Sequence, residues 1–417
     1  MGSVAFLFAG QGAQHPAMGV DLIEASPAAA EVFAIADEVR PGTSEQCRSA
    51  SKEELSQTEN TQPCVFVHDL AAAAALRERG VVPAACAGFS LGEVAALTFA
   101  GAFDTRAGFE LVCERAVLMA AAAERHPGGM RAVKYGVTRD YVRGLTAVQA
   151  DGTVLTVGGK NVKDASGLSL KNLFIGSEGT LCVITRCILR LIPKPETSLS
   201  LLLPYRDLKS GIRSVLTILR AGLNPTALEF MERSVVEWGE RYSGVTYPCK
   251  GAGSYILVTL DGHEGEVQEN LRRIEALAEQ SGAMDCMVLA DAQQAADIWK
   301  VRGALVMAVE AVSEQEPVDI VVPISHTADF VRYINELEAA SGMRMIAFGH
   351  AGDGNLHIYC CGNNIEREAF LEKSTRVMHA AYAKCNELGG QVSGEHGIGH
   401  AKKEYLRESV GDMAFSL

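Results

Sequence analysis

Pro127-Gly128-Gly129-Met130-Arg131-Ala132-Val133 divides the chain into two textures, and the reading of the fold turns on it. Ahead of it, a short apolar strand over 4–9 ends in the glycine-rich Gly10-Gln11-Gly12-Ala13-Gln14. Helical periodicity follows over about 28–38 and through the alanine-rich stretch 64–79. A second strand, Val81 to Ala87, breaks at Gly88-Phe89-Ser90-Leu91-Gly92 into a helix starting near Glu93, and a further helix covers about 106–124. Strand, tight turn and helix in alternation predict an α/β N-terminal fragment with parallel strands over residues 1–130.

Behind the divide the pattern is α+β. Residues 141–159 alternate and carry turn signals at Asp151-Gly152 and Gly158-Gly159, which predicts antiparallel hairpins. A strand run over 180–192 closes at Pro193-Lys194-Pro195. Three βαβ-like stretches then follow: strand 198–203 with helix 207–221; strand 254–260, helix 264–281 and strand 284–290; strand 318–323, helix 327–341 and strand 344–349. They predict an α+β sheet with helices on one face, completed by a helix over about 365–388. The divisions are 1–130, 131–196 and 197–417, with no low-complexity linker between them.

The 417 residues are 48% hydrophobic and 21% charged, the balance of a folded globular protein, and two or three domains suit that length. A formal net charge of −13 argues against nucleic acid or anionic membrane as partner. No apolar run approaches the roughly 20 residues of a membrane span, and the N-terminus lacks the basic start of a signal peptide. Eleven scattered cysteines without a CxxC pair read as reduced thiols of a cytoplasmic protein.

Two segments carry the densest chemistry: Gly349-His350-Ala351-Gly352-Asp353-Gly354-Asn355-Leu356-His357 and Ser393-Gly394-Glu395-His396-Gly397-Ile398-Gly399. His350 and His357 flank a glycine-rich turn, and Glu395 adds a carboxylate oxygen. Two imidazoles and one carboxylate with open positions suit Zn²⁺, Mn²⁺ or Fe²⁺. Such an ion holds a substrate hydroxyl and lowers its pKa. His396, beside a ligand but not needed as one, is placed to take the hydroxyl proton as general base. The bland alternative is a set of turn glycines and satisfied histidines.

These residues resemble the FAD-linked oxidase family that includes D-lactate dehydrogenase, the glycolate oxidase D subunit and D-2-hydroxyglutarate dehydrogenase, over about 134–410. Lys134-Tyr-Gly-Val-Thr-Arg-Asp-Tyr-Val142 and Gly176-Ser177-Glu178-Gly179-Thr180-Leu181 are similar to that family's flavin-binding domain; the second motif would line FAD, and Cys182 stands where glycine is usual. The resemblance implies a partial flavin-binding domain, then a ferredoxin-like C-terminal domain cut short at its end. It implies that His350, His357 and Glu395 hold the metal, that His396 is the base and that Asn355 sits near flavin and substrate. Arg302, in Trp299-Lys-Val-Arg302, would clamp the substrate carboxylate, a task a planar guanidinium suits. The implied reaction is FAD-dependent oxidation of a small D-2-hydroxyacid, with hydride passing to flavin N5 and electrons onward to an acceptor protein or quinone.

Gly88-Phe89-Ser90-Leu91-Gly92 fits a nucleophile elbow, in which a strained strand-to-helix turn exposes a serine hydroxyl. With the Gly10–Gln14 loop and Arg115, residues 3–130 resemble malonyl-CoA:acyl-carrier-protein transacylase, implying a partial α/β-hydrolase-like core. Ser90 would be nucleophile, Gln11 an oxyanion-hole residue and Arg115 the partner of the malonyl carboxylate, with an acyl-carrier protein as partner under this alternative only. Phe89 replaces the usual histidine, and neither His15, His68 nor His126 occupies a family base position. The segment that grips the flavin pyrophosphate in the oxidase family is replaced here by transacylase-like sequence, which predicts impaired flavin binding. Gly128 to Val133 satisfies both family patterns, so the divide reads as recombination at a shared motif or as a misassembled sequence, and a non-functional fusion is the third reading.

Overall fold

Strand β1 (Ala5–Phe8) pairs in parallel with β2 (Ala85–Gly88), Ala5 opposite Ala85 and Phe8 opposite Gly88, in a computed structural model that describes residues 4–125, 132–362 and 365–415. The dividing motif up to Arg131, and His126 before it, lie outside the described residues. The chain forms two compact units, Met1–Gly129 and Met130–Leu417.

In the first unit, helices α1 (Pro27–Val39), α2 (Thr58–Glu78), α3 (Leu91–Phe99) and α4 (Thr105–Arg125) surround the strand pair. Ser26 caps α1 by accepting from the Ala29 amide, and Pro27 takes the first helical position, where its missing N–H costs nothing. Alternation in β1 buries Phe6 and Phe8 against Phe33, Leu70, Leu91 and Phe109. The parallel pairing agrees with the alternation read from the sequence, although α2 starts six residues earlier than its alanine-rich stretch.

The second unit opens with a three-stranded antiparallel sheet, order β4-β3-β5, from β3 (Val142–Val148), β4 (Val154–Gly158) and β5 (Val183–Leu189). A seven-stranded sheet follows. Its elements are β6 (Thr197–Tyr205), α5 (Leu208–Arg220), β7 (Ala227–Glu232), α6 (Arg233–Ser243), β8 (Ser254–Gly262), α7 (Glu264–Gln280) and β9 (Met287–Leu289). Then come α8 (Ala292–Val312), β10 (Gln315–Val321), α9 (Thr327–Ser341), β11 (Arg344–His350), β12 (Asn355–Cys361), α10 (Arg367–Glu387) and α11 (Lys403–Phe415).

The strand order is β10-β12-β11-β7-β8-β6-β9, and every neighbouring pair is antiparallel. The strands that α5, α7 and α9 connect are therefore parallel but not adjacent, because an antiparallel strand lies between them, whereas α6 joins the adjacent antiparallel β7 and β8. The order repeats. β6, β7 and β8 lie as β7-β8-β6, while β10, β11 and β12 lie as β10-β12-β11, and the two sets meet at β7 and β11. Even the outer position is echoed: β9 pairs outside β6, and Gln391 bridges Val321 of β10.

One expectation needs correction. Helices cover both faces of this sheet, not one. Alternate strand residues such as Leu203, Phe230 and Ile358 pack under α5, α7, α9 and α10, while Leu202, Met231, Phe348 and Tyr359 pack under α6 and α8. In α8 the buried Ile298, Val301, Leu305 and Val309 recur at three- and four-residue spacing, a helical stripe that the three βαβ stretches left out. Each such fully buried aliphatic side chain contributes roughly 1.5–3 kcal/mol. The α6/α8 face is the one that carries the polar chemistry.

Candidate functional site

Four adjacent strands of the large sheet place a polar row on that face. The backbone register sets Asp319 of β10 opposite His357 of β12, and His357 opposite Phe348 of β11. His350 ends β11, and Glu229 lies on β7 beside it. Period-two alternation sends all four side chains to the same side as Met231, Phe348 and Tyr359. The His350 and His357 rings meet edge-on with centroids 5.4 Å apart. His350 Nε2 stands 3.4 Å from Glu395 Oε1 and His357 Nε2 3.8 Å from Glu395 Oε2. One candidate ligand atom from each of the three residues lies within 4.8 Å of the others, a spacing that fits one cation.

Electrostatics suit that fit. Burial, with the neighbouring His350 second, pushes His357 down to about 4, so its imidazole is neutral and keeps a lone pair. Burial also pushes the Glu395 carboxyl up, against the pull of His350. A cation between them would relieve both that carboxylate's desolvation and the crowding of two imidazoles. His350 behaves differently: burial alone would lower it, but the hydrogen bond from its Nδ1 to Glu229 Oε1, 2.8 Å, holds it raised.

The turn 393–396 delivers Glu395 and His396. Asp319 Oδ2 accepts from Ser393 Oγ and from the amides of Gly394, Glu395 and His396, at 2.9–3.1 Å. Gly394 allows a close approach there, since a Cβ would sit 1.8 Å from Asn355 Nδ2 and that side chain would have to shift. His396 is exposed, and its ring stacks on His357 with centroids 5.5 Å apart. Asn355 is buried and donates to Asp319 Oδ1 and to the Ile320 carbonyl, each at 2.8 Å. Its own Oδ1 is buried and has no hydrogen-bond partner among the described residues.

Arg302 reaches the row from α8, where both Nε and Nη2 donate to Glu229 Oε2 at 2.9 and 2.7 Å. The forked edge expected to grip a substrate carboxylate is thus engaged within the chain, which leaves the outer amino end. Residues 176–181 form a turn with left-handed backbone at Gly176, Glu178 and Gly179. The Glu178 carboxylate accepts from the Ile398 and Gly399 amides, both at 2.7 Å, and so ties this turn to the one carrying Glu395 and His396. A ring held by one turn would lie against groups carried on the other, so the residues present fit a flavin. Close by in sequence, a cleft of about 640 Å³ is lined by Arg143, Gly158, Gly159, Lys171 and Arg190 among others.

Sequence reasoning missed Glu229 and Asp319. A signal existed: each is an acid flanked by apolar residues within a strand, in Ala-Leu-Glu229-Phe-Met and Val-Asp319-Ile-Val. Such an acid needs a partner or a purpose.

In the first unit Ser90 adopts φ 55° and ψ −102° between β2 and α3. The flanking glycines are required, because a Cβ on Gly88 would meet the Gly92 carbonyl at 1.9 Å and one on Gly92 would meet Phe8 O at 2.1 Å. Arg115 Nη2 donates to Ser90 Oγ at 3.2 Å, and its Nη1 donates to Gln62. Gln11 donates to Thr58 Oγ1 at 3.2 Å, on a loop packed against Phe89.

The model of the FAD linked oxidases, C-terminal domain, matches residues 194–417, more than half of the chain. The chain belongs to this family. A second family model, the acyl transferase domain, matches residues 5–160, running past the boundary between the units into the β3–β4 hairpin. A D-lactate dehydrogenase of Anaerostipes hadrus is 44% identical over 293 residues, 69% of this chain and 62% of that protein. Glycolate oxidase subunit GlcD of Bacillus subtilis is 36% identical over 283 residues, 67% of this chain and 59% of that one. Both alignments are longer than 194–417, so the likeness reaches back into the segment holding the 176–181 turn. The chain spans about three fifths of the length of these relatives. Among solved structures, p-cresol methylhydroxylase with substrate bound is similar in fold, with a TM-score of 0.53 at 13% identity over 69% of this chain and 63% of that one. No helix among the described residues is long and apolar enough to cross a membrane.

Proposed function

We propose that the second unit oxidises a small D-2-hydroxyacid to the 2-oxoacid with FAD and a divalent metal ion. The observation that carries this reading is the convergence of His350, His357 and Glu395 beside the exposed His396, on a turn tied to 176–181. The names of the relatives, D-lactate dehydrogenase, glycolate oxidase and D-2-hydroxyglutarate dehydrogenase, supply the substrate class. The ferredoxin-like reading of 197–417 is supported by the order β7-β8-β6-β9, which is that of a split βαβ pair.

His350, His357 and Glu395 would hold the ion, and the turn 176–181 would line the flavin. When bound, these groups supply a Lewis acid for the hydroxyl and a two-electron acceptor. The chain's residues do the remainder. The His396 imidazole takes the proton of the C2 hydroxyl. The outer amino end of Arg302 pairs with the substrate carboxylate, its inner edge fixed by Glu229. Asn355 stands beside the turn carrying His396, its Nδ2 fixed on Asp319 and on the Ile320 carbonyl. The first unit's sequence stands where a flavin-gripping segment is expected, and Val162, Leu168 and Leu191 of the 131–196 segment are 83–91% exposed. Both features support weak flavin binding by this chain.

The test is anaerobic addition of D-lactate, glycolate or D-2-hydroxyglutarate to the chain loaded with FAD and Zn²⁺ or Mn²⁺. Bleaching of the flavin absorbance that is lost in His396→Ala supports the reading; bleaching unchanged in that variant removes His396 from the role of base. A second reading, malonyl transfer through Ser90, is favoured by the strained elbow and its Arg115 contact. Transfer from malonyl-CoA that vanishes in Ser90→Ala would support it.

A further inference from the structure

The polar row contains a buried carboxylate that the proposed chemistry does not use. We infer that Asp319 is a positioning residue, which orients the His357 ring and fixes the turn carrying Glu395 and His396. The inference rests on the metal-binding reading of His350, His357 and Glu395.

Asp319 side-chain oxygens are almost fully engaged. Oδ2 accepts from one hydroxyl and three consecutive amides of the turn, and Lys402 Nζ stands 3.7 Å from it. Oδ1 accepts from Asn355 Nδ2 and faces His357 Nδ1 at 3.8 Å. Asp319, His357 and His396 also bring ligand atoms within 4.8 Å of one another, which raises the alternative that Asp319 is itself a metal ligand. A carboxylate offers about four acceptor sites. Four donors saturate Oδ2, while Oδ1 accepts only from Asn355 and keeps one lone pair, on the oxygen that faces His357 Nδ1 and that an Nδ1–H would use.

The two histidines are oriented alike but held unequally. His350 Nδ1 is hydrogen-bonded to Glu229 at 2.8 Å, whereas His357 Nδ1 stands 3.8 Å from Asp319 Oδ1. That His357 nitrogen is buried with no hydrogen-bond partner among the described residues, so Asp319 is the acceptor it faces. His350 turns Nδ1 to Glu229 and Nε2 to Glu395; His357 turns Nδ1 to Asp319 and Nε2 to Glu395. Each imidazole therefore has a buried strand carboxylate behind it and the shared site in front. A carboxylate behind a histidine favours the proton on the nitrogen facing it, and so leaves the opposite lone pair pointing at the metal. The bland reading is that Asp319 merely staples the turn. A staple would be indifferent to which nitrogen of His357 carries the proton.

The experiment uses the whole chain, ¹⁵N-labelled at histidine and stripped of metal with a chelator at neutral pH. His357 is expected as the Nδ1–H tautomer; an Nε2–H form or an even mixture would overturn the inference without any variant. Zn²⁺ alone is then titrated into the wild type and Asp319→Asn, with circular dichroism confirming the fold. The variant is expected to bind about 10- to 100-fold more weakly, the usual cost of losing an orienting partner. Equal affinity in a folded variant overturns the inference. A wild type with the Nδ1–H tautomer that takes up no Zn²⁺ would sink the metal-binding reading while supporting the placement of His357 by Asp319.

Discussion

The two units present their reactive side chains by the same device and surround them differently. Ser90 and His396 each stand on a turn where glycine lets another group approach closely, backbone at Gly88 and Gly92 in one case and the Asn355 side chain at Gly394 in the other. Around Ser90 the partner is Arg115, whose guanidinium donates but cannot accept a proton. Among the described residues, no histidine hydrogen-bonds Ser90 Oγ: His15 contacts the Pro16 carbonyl and packs edge-on against His68. Around His396 stand two further histidines and a glutamate, backed by buried Asp319 and Glu229. A nucleophile turn is a local object that five residues can build. An acid–base or metal site is not local, since its members come from several strands and a distant loop.

The largest expected effect follows from that contrast. Without a base, acyl transfer from malonyl-CoA through Ser90 should fall about 10⁶-fold below that of a complete serine site, the scale of losing a triad member. A radiolabelled transfer assay checks this. A rate near the common enzyme range of about 10 s⁻¹, abolished in Ser90→Ala, would break the comparison. Next in size is His396→Ala in the second unit, expected to slow flavin reduction by a 2-hydroxyacid by about 10²–10⁴ while bound metal stays near one ion per chain. His350→Ala should reverse the pattern and lose the ion itself, as elemental analysis would show.

A smaller effect separates turn geometry from chemistry. Gly394→Ala should destabilise the second unit by about 1–3 kcal/mol, because its Cβ has to displace Asn355 Nδ2. Both tryptophans, Trp238 and Trp299, lie in that unit, so their fluorescence reports its unfolding alone. A variant as stable as the wild type would show that the turn has room to move, and would weaken the case that Asn355 and the turn are locked together.

Much of this is legible in the residues. The elbow, the His350 to His357 turn and the Ser393 to Gly399 motif are contiguous, so their glycine and polar spacing survives in one dimension. Strands and helices with clear periodicity, such as β6, α5 and α9, fall within a few residues of where the sequence puts them. What escapes is non-local. The helix cover on the second face needs α6 and α8 to be recognised, and the antiparallel order needs knowledge of which strand inserts between two others. Asp319 and Glu229 acquire meaning only when β10 and β7 flank the histidine strands. Arg302 looks free for substrate in the sequence because no motif announces Glu229, 73 residues away, as its partner.

The smallest effect concerns how the second unit is stapled near its start. Lys134 Nζ lies 2.9 Å from Asp261 Oδ1, and Tyr135 OH lies 3.0 Å from both carboxylate oxygens. Burial alone would raise the Asp261 carboxyl, but hydrogen bonds, including those from Lys134 and Tyr135, outweigh it and hold the group below the usual range. A carboxyl lowered in the folded state contributes stability that is present above its unfolded value, near pH 4, and is lost as the pH falls through the folded value. The tryptophan-detected midpoint should therefore drop as the pH falls below about 4. Asp261→Asn should lower the midpoint at neutral pH, at a cost of about 1 kcal/mol, the scale of one hydrogen bond, and flatten that acid slope. Ser90→Ala, in the other unit, should leave both unchanged. An Asp261→Asn chain with the wild-type acid slope would mean that other carboxylates drive the acid response and that the Lys134 staple adds little to the second unit's cohesion.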